Sequence, residues 1–239
     1  MKRFNTIGIL GGMGPEATAE LYKRIIALFQ SRHGAVDDSD YPNIIINSIP
    51  VDDMLNSLAT RKATITRQLC SGAKMLQDAG VDFIVIPCNT AMIFYDELKN
   101  SVEIPVLNTV EIVLESASPR TVGILASEST TTSSLYERGN DKTKIIYPDQ
   151  DEQPVVDRAI NNVLRGMKLE SDIKNLLRIS ESLKIKGAEK IILGCTELPL
   201  LCTGVNQTYL DSVQLLAEKS VDYSLANSIL VSSDVYNDL

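Results

Sequence analysis

Apolar runs of four to six residues alternate along the chain with longer amphipathic stretches. Thr6-Ile7-Gly8-Ile9-Leu10 predicts a buried strand, and Pro15 to Gln30 predicts a helix, with Pro15 suited to its first turn. The order repeats with strand Asn43 to Asn47, helix Arg61 to Asp78 and strand Phe83 to Ile86. A second series follows: strand Thr121 to Leu125, strand Lys144 to Tyr147, helices within Gln153 to Lys186, and strand Lys190 to Leu193. Strand and helix in alternation predict an α/β fold, with mostly parallel sheets flanked by helices. A last amphipathic helix is expected from about Asp211 to Asn227, carrying Val213, Leu216 and Val221 at helical spacing, before a polar tail from Val231 to Leu239 that should fray.

The two series resemble each other. Asn5-Thr6-Ile7-Gly8-Ile9-Leu10 matches Arg120-Thr121-Val122-Gly123-Ile124-Leu125. Likewise Ala79-Gly80-Val81-Asp82-Phe83-Ile84-Val85-Ile86-Pro87-Cys88 matches Lys186-Gly187-Ala188-Glu189-Lys190-Ile191-Ile192-Leu193-Gly194-Cys195. Similar elements in similar order predict two similar lobes, against the alternative of chance likeness between buried strands. The breaks near Ser116-Ala117-Ser118-Pro119 and Thr203-Gly204-Val205 divide the chain into a first lobe of residues 1–116 plus 205–239 and a second of residues 117–204.

Composition narrows the function. A net charge of -8 with no block of Lys and Arg argues against a nucleic-acid partner. No apolar run approaches the roughly 20 residues of a membrane span, and the N-terminus reads as a strand lead-in without a cleavage site, so the expected compartment is the cytoplasm. The four cysteines, Cys70, Cys88, Cys195 and Cys202, lack metal-type spacing and are expected as free thiols. The single histidine, His33, lies in a loop-like stretch and reads as solvated. Cys70, within a helix, reads as packing, and Cys202 as a loop residue.

Cys88 and Cys195 differ from the others. Each follows an apolar strand at the carboxyl end, where open α/β sheets present their ligand sites. Small polar residues come next, Asn89-Thr90-Ala91 and Thr196-Glu197, with amides and hydroxyls able to hold a carboxylate at a helix N-terminus. That helix end is expected to lower the thiol pKa below its free value of about 8.5. Two thiols facing one cleft suit removal of a proton from one face of a carbon acid and delivery of a proton to the other.

With Ile7-Gly8-Ile9-Leu10-Gly11-Gly12-Met13-Gly14-Pro15, Pro87-Cys88-Asn89-Thr90-Ala91 and Gly194-Cys195-Thr196-Glu197-Leu198 in that order, the sequence resembles the aspartate/glutamate racemase superfamily, and most closely its aspartate racemase branch. The resemblance implies two pseudo-two-fold-related α/β lobes around an interdomain cleft, no cofactor or metal, a homodimer, and a small amino acid, acidic by this branch, as substrate. It implies Cys88 and Cys195 as the proton donor and acceptor. It places substrate at Asn89, Thr90 and Thr196, with Met13 facing the site and Thr130 lining the second lobe's pocket. Glu197 stands where glutamate racemases carry histidine, and Arg165 stands where aspartate racemases carry a lysine for the distal carboxylate. Two departures bear on substrate: Met92 replaces a common histidine, and the loop after the second strand reads Asn47-Ser48-Ile49-Pro50-Val51-Asp52-Asp53, acidic where an arginine is frequent.

Rival readings are a broad-specificity or glutamate racemase, a maleate-type isomerase, and a non-catalytic binder of small acids. A dinucleotide site is a further alternative, since Gly12-Met13-Gly14-Pro15-Glu16-Ala17 fits the GxGxxA pattern. Against it, the second strand ends in Asn47-Ser48 rather than an acid, and Pro15 lacks an amide.

Overall fold

The computed structural model describes residues 4–52, 54, 58–117, 120–138, 142–202 and 209–234. In the first series β1 (Ile7–Gly11), α1 (Pro15–His33), β2 (Ile44–Ser48), α2 (Leu58–Asp78) and β3 (Phe83–Val85) lead through a 3-10 turn, Thr90–Phe94, into α3 (Tyr95–Ser101) and α4 (Thr109–Ala117). The second series runs β4 (Thr121–Leu125), α5 (Glu128–Thr132), β5 (Lys144–Ile146), α6 (Gln153–Leu164), α7 (Glu170–Ile185) and β6 (Lys190–Leu193). It ends with α8 (Leu198–Leu201), β7 (Tyr209–Asp211) and α9 (Ser212–Asp234).

All strand pairs are parallel, in the orders β2-β1-β3 and β5-β4-β6-β7. In each sheet the first strand of its series is central and the third lies beside it. The likeness extends further, because Val106 bridges Ile84 next to β3 as β7 pairs with β6. Every residue of β1 is buried while the edge strand β2 is half exposed, which explains the uniformly apolar β1 sequence.

β7 joins the second sheet, so that sheet extends past residue 204; the break expected at residues 203–205 falls outside the described residues. α9 crosses to pack on α1 and α4. It is pinned by Arg32 to Glu218 at 2.6 Å and by Ser224 Oγ donating to the Asn5 carbonyl at 2.8 Å. Residues of both sheets, including Ile84, Val122, Ile124 and Ile192, join Val110 of α4 in one continuous apolar core beneath the gap between the lobes.

Several boundaries differ from expectation. α1 continues through His33, which is helical rather than in a loop and lies against Phe29, with ring centroids 5.8 Å apart. Gly34 then stops the helix in the left-handed region, at φ 63°. α9 runs to Asp234, into the segment expected to fray. Among the described residues no helix is long and apolar enough to cross a membrane.

Candidate active site

The two cysteines occupy equivalent places. After β3 the chain turns at Ile86-Pro87, the Cys88 N–H donates to the Ile86 carbonyl at 2.8 Å, and the 3-10 turn begins. After β6 the Gly194 N–H continues the sheet by donating to the Leu125 carbonyl, and Cys195 precedes the single turn of α8. The same device holds both. Thr109, first residue of α4, donates its hydroxyl to Ile86 O at 3.1 Å, and Ser212, first residue of α9, donates to Leu193 O at 2.9 Å. Each carbonyl lies two residues before its cysteine. Both thiols are buried, at 7% and 8% exposure.

Polar side chains tie one lobe to the other at this level. The Asn89 amide donates to Ser212 Oγ at 3.1 Å, and its oxygen accepts from the Tyr136 hydroxyl at 2.9 Å. The hydroxyls of Thr90, Ser127 and Thr130 form a buried triangle with sides of 3.0, 3.1 and 3.3 Å. Satisfied buried networks of this kind fix geometry, because any broken member leaves a desolvated group without a partner. Thr130, expected to line the pocket, instead stands behind Thr90 and holds it. Tyr136, Ser127 and Ser212 escaped sequence reading because a lone hydroxyl in an apolar context carries no spacing signal.

Glu197 is buried against Cys195. The thiol donates to its Oε2 at 3.0 Å, the Thr196 hydroxyl donates to the same oxygen at 3.3 Å, and the Gly14 amide reaches it from the other lobe. Gly14 allows this approach: a Cβ there would stand 3.3 Å from Glu197 and 3.1 Å from Leu164. The glycine loop is folded back by Thr18, whose hydroxyl accepts from Gly12 N–H and donates to Gly14 O, both at 3.0 Å. Gly12 has φ 98°, and a Cβ on it would lie 2.2 Å from the Ile49 carbonyl. A loop packed in this way against Ile49 and Thr18 uses up the amide that a dinucleotide phosphate would need.

The thiol pKa values run opposite to the helix-end expectation. Burial first, then the nearby Glu197 charge, pushes Cys88 up to about 12; the same two causes, with the Glu197 hydrogen bond and the Cys88 charge, push Cys195 well above the ordinary thiol value. Amides of Ala91 and Thr90 pull Cys88 down and the Glu197 amide pulls Cys195 down, but by less. The reason is geometric: the turns that follow the cysteines span only five and four residues, so they offer a few amides and little dipole. Burial also raises the Glu197 carboxyl.

Cys88, Cys195, Met13, Asn89, Thr90, Thr196 and Glu197 all line one cavity of about 200 Å³, with Leu164 and Asp52 among its other walls. This is below the roughly 300–1,000 Å³ of pockets for drug-sized ligands and suits one small molecule. A larger cavity of about 620 Å³ lies between α3, α4 and the segment around Arg138; it contains no thiol, and Met92 faces it instead of the cysteines. Arg165, expected to meet a distal carboxylate, is an exposed residue capping α6 and lies off the cysteine cavity, whose wall is taken by Leu164. Cys202 is buried at the end of α8 rather than in a loop, and Cys70 contacts the Glu97 carbonyl at 3.6 Å. Asp53 lies outside the described residues. Among the described residues, no three His, Cys, Asp or Glu side chains converge to hold a metal ion.

Matching thiols at matching strand ends of a duplicated α/β fold can address a small molecule from two sides. Residues 10–219 match the Asp/Glu/hydantoin racemase family, and the chain belongs to it; that membership makes it an isomerase acting on amino acids. A broad-specificity amino-acid racemase, RacX, of Bacillus subtilis strain 168 is 31% identical over 234 residues, covering 92% of this chain and 98% of its own. Picrophilus torridus aspartate racemase has the same fold, with TM-score 0.77 at 22% identity over 91% of this chain and 93% of its own. An aspartate racemase homologue from Pyrococcus horikoshii OT3 follows with TM-score 0.72 at 26% identity, covering 93% and 98%.

Proposed function

We propose that the protein inverts the α-carbon of a free amino acid by proton transfer between Cys88 and Cys195, without a cofactor. One observation carries this reading: the two thiols end equivalent strands of the two series and line a single small cavity. Cys195, its proton passed to Glu197, takes the α proton as thiolate; the C–H electron pair stays on carbon as a carbanion; the Cys88 thiol delivers its proton to the other face and is left as the thiolate for the reverse direction. The roles are then exchanged, and the reverse reaction uses the same groups.

Burial and the Glu197 charge favour the protonated form of both thiols. The substrate's own α-ammonium is the cation that offsets this, since a positive charge beside a sulfur favours thiolate. Glu197, which accepts the Cys195 proton in a hydrogen bond, readies that side. Thr196, which lines the cavity beside Cys195, faces the substrate carboxylate, and the amides of Thr90 and Ala91 favour the thiolate of Cys88. Asn89 and Thr90 act chiefly by holding the Cys88 turn against the second lobe.

The aspartate expectation needs a cation for the second carboxylate. Among the described residues lining the cavity there is none, and the charged groups present are Asp52 and Glu197. A side-chain range extending beyond acidic amino acids fits better, in keeping with the broad specificity of the B. subtilis relative. The homodimer rests on the resemblance, and light scattering of the purified chain tests it; the cytoplasmic setting rests on the sequence pattern alone.

The test is loss of optical activity from individual L-amino acids, followed with wild-type protein and with Cys88→Ser and Cys195→Ser. Racemisation by the wild type and none by either variant is expected; wild-type rates in either variant would remove the two-thiol assignment.

A further inference from the structure

We propose that the cleft selects amino acids whose side chain ends in a positive charge, with Asp52 as the selecting residue. The inference rests on the two-thiol reading above and adds the substrate class to it. The cavity has two kinds of surface. The thiols, Asn89, Thr90 and Thr196 form its reacting end, and Met13, Pro15, Val51, Met54 and Leu164 form an apolar wall fit for a methylene stem. The remaining charged groups among the described lining residues are both carboxylates.

These two carboxylates are not equivalent. Glu197 already accepts from the Cys195 thiol, the Thr196 hydroxyl and the Gly14 amide, so its capacity is committed. Among the described residues Asp52 has one ion-pair partner, Arg61, whose Nη1 lies 3.2 Å from Asp52 Oδ2; Arg61 is 59% exposed and does not line the cavity. Such an exposed pair is weak and is readily shared with, or exchanged for, an arriving cation.

Asp52 is also held in place. The Ile49 N–H donates to the Gly11 carbonyl at 3.1 Å, the Asp52 N–H to Gln68 Oε1 at 3.1 Å, and the Met54 carbonyl accepts from Ser129 Oγ of the second lobe at 3.1 Å. The residue is therefore anchored on both sides to elements that frame the cleft. A substrate stem running along Val51, Met54 and Leu164 would bring a terminal ammonium or guanidinium to this carboxylate. A terminal carboxylate would instead meet two like charges with no compensating cation among the described lining residues, since Arg165 lies off the cavity.

The experiment compares L-lysine with L-norleucine, which has the same stem without the charge, and with L-glutamate, by α-deuterium exchange and racemisation in deuterated water. Lysine is expected to exceed norleucine in kcat/KM by roughly tenfold to hundredfold, the range of a hydrogen bond to a charged group, and to exceed glutamate by more. In Asp52→Asn the lysine-to-norleucine ratio should collapse towards one. In Arg61→Ala the ratio should hold or rise, because the competing cation is gone. Equal turnover of lysine and norleucine by the wild type, preference for glutamate, or an unchanged ratio in Asp52→Asn would each overturn the proposal. Loss of lysine turnover in Arg61→Ala would also overturn it. Exchange of other amino acids without lysine sinks this inference alone, whereas no exchange with any amino acid sinks the two-thiol reading beneath it.

Discussion

The Cys195 thiol donates to Glu197 Oε2 across 3.0 Å, in a setting where both groups are buried. Among the described residues no corresponding carboxylate is hydrogen-bonded to Cys88, whose sulfur receives the amides of Ala91 and Thr90 instead. The two halves of the cleft thus reach proton transfer by different means, although the backbone around them is repeated.

Glu197→Gln tests this asymmetry. The amide cannot take up the thiol proton, and a loss of about 10²-fold in kcat/KM is expected, the lower end for a general acid–base contribution. The equilibrium constant of racemisation is one, so kcat/KM must fall equally for the two enantiomers. The asymmetry shows elsewhere: the primary isotope effect at the α-carbon should grow for the enantiomer deprotonated by Cys195 and shrink for the other. Isotope effects that change together would assign Glu197 a structural part only.

The raised thiol pKa values make stability depend on pH. Cys88 holds its proton up to about 12 in the folded chain, while an unfolded thiol ionises at its ordinary value. Between those limits the unfolded state binds fewer protons than the native state, so stability is fully present below the unfolded value and declines as pH rises. The slope is about 1.4 kcal/mol per pH unit for each such thiol. Urea unfolding from pH 8 to pH 10.5 should show Cys88→Ser losing stability less steeply than wild type. Parallel curves would contradict the burial effect.

Ser212 joins two roles, donating to the carbonyl before Cys195 and accepting from Asn89 beyond Cys88. Its replacement by alanine strands a buried carbonyl and a buried amide, at a cost of roughly 1–3 kcal/mol for each group left unsatisfied. Thr109→Ala strands neither kind of group, because the matching carbonyl, Ile86 O, keeps the Cys88 N–H at 2.8 Å. Chemical denaturation should therefore rank Ser212→Ala as the more destabilised, and kcat should fall further in it than in Thr109→Ala. The opposite order would deny the interlobe tie.

Gly12→Ala combines a left-handed φ with a Cβ placed 2.2 Å from the Ile49 carbonyl. A destabilisation of roughly 2 kcal/mol or more is expected from strain and displaced backbone, together with a raised KM as the loop carrying Met13 shifts. An unchanged urea midpoint would show that the loop yields freely.

Much of this architecture was readable in the sequence because it rests on repetition. The runs Ile7 to Leu10 and Val122 to Leu125 are central buried strands, and central strands of parallel sheets must be apolar throughout. The cysteines stood out for the same reason, each closing the matching third strand. Other features depended on contacts between residues distant in the chain. Nothing local reveals that Tyr136 and Ser212 hold Asn89, or that Thr130 supports Thr90 from behind. The thiol pKa direction was misread from position alone, since the amides after each strand were visible and the burial and the Glu197 charge that outweigh them were not. At Arg165 the helical register turned Leu164 towards the cavity and the arginine to solvent, a difference of one residue at a helix end.

The two-thiol claim meets its most direct test in the first turnovers of an accepted L-amino acid in deuterated water, with α-protium substrate and mass analysis of the separated enantiomers. Transfer between two sulfurs predicts a D product carrying one solvent deuteron at the α-carbon while the remaining L substrate keeps its protium. A D product that retains the original α-protium would show a single group acting on both faces, and would contradict the assignment of Cys88 and Cys195 as opposing partners.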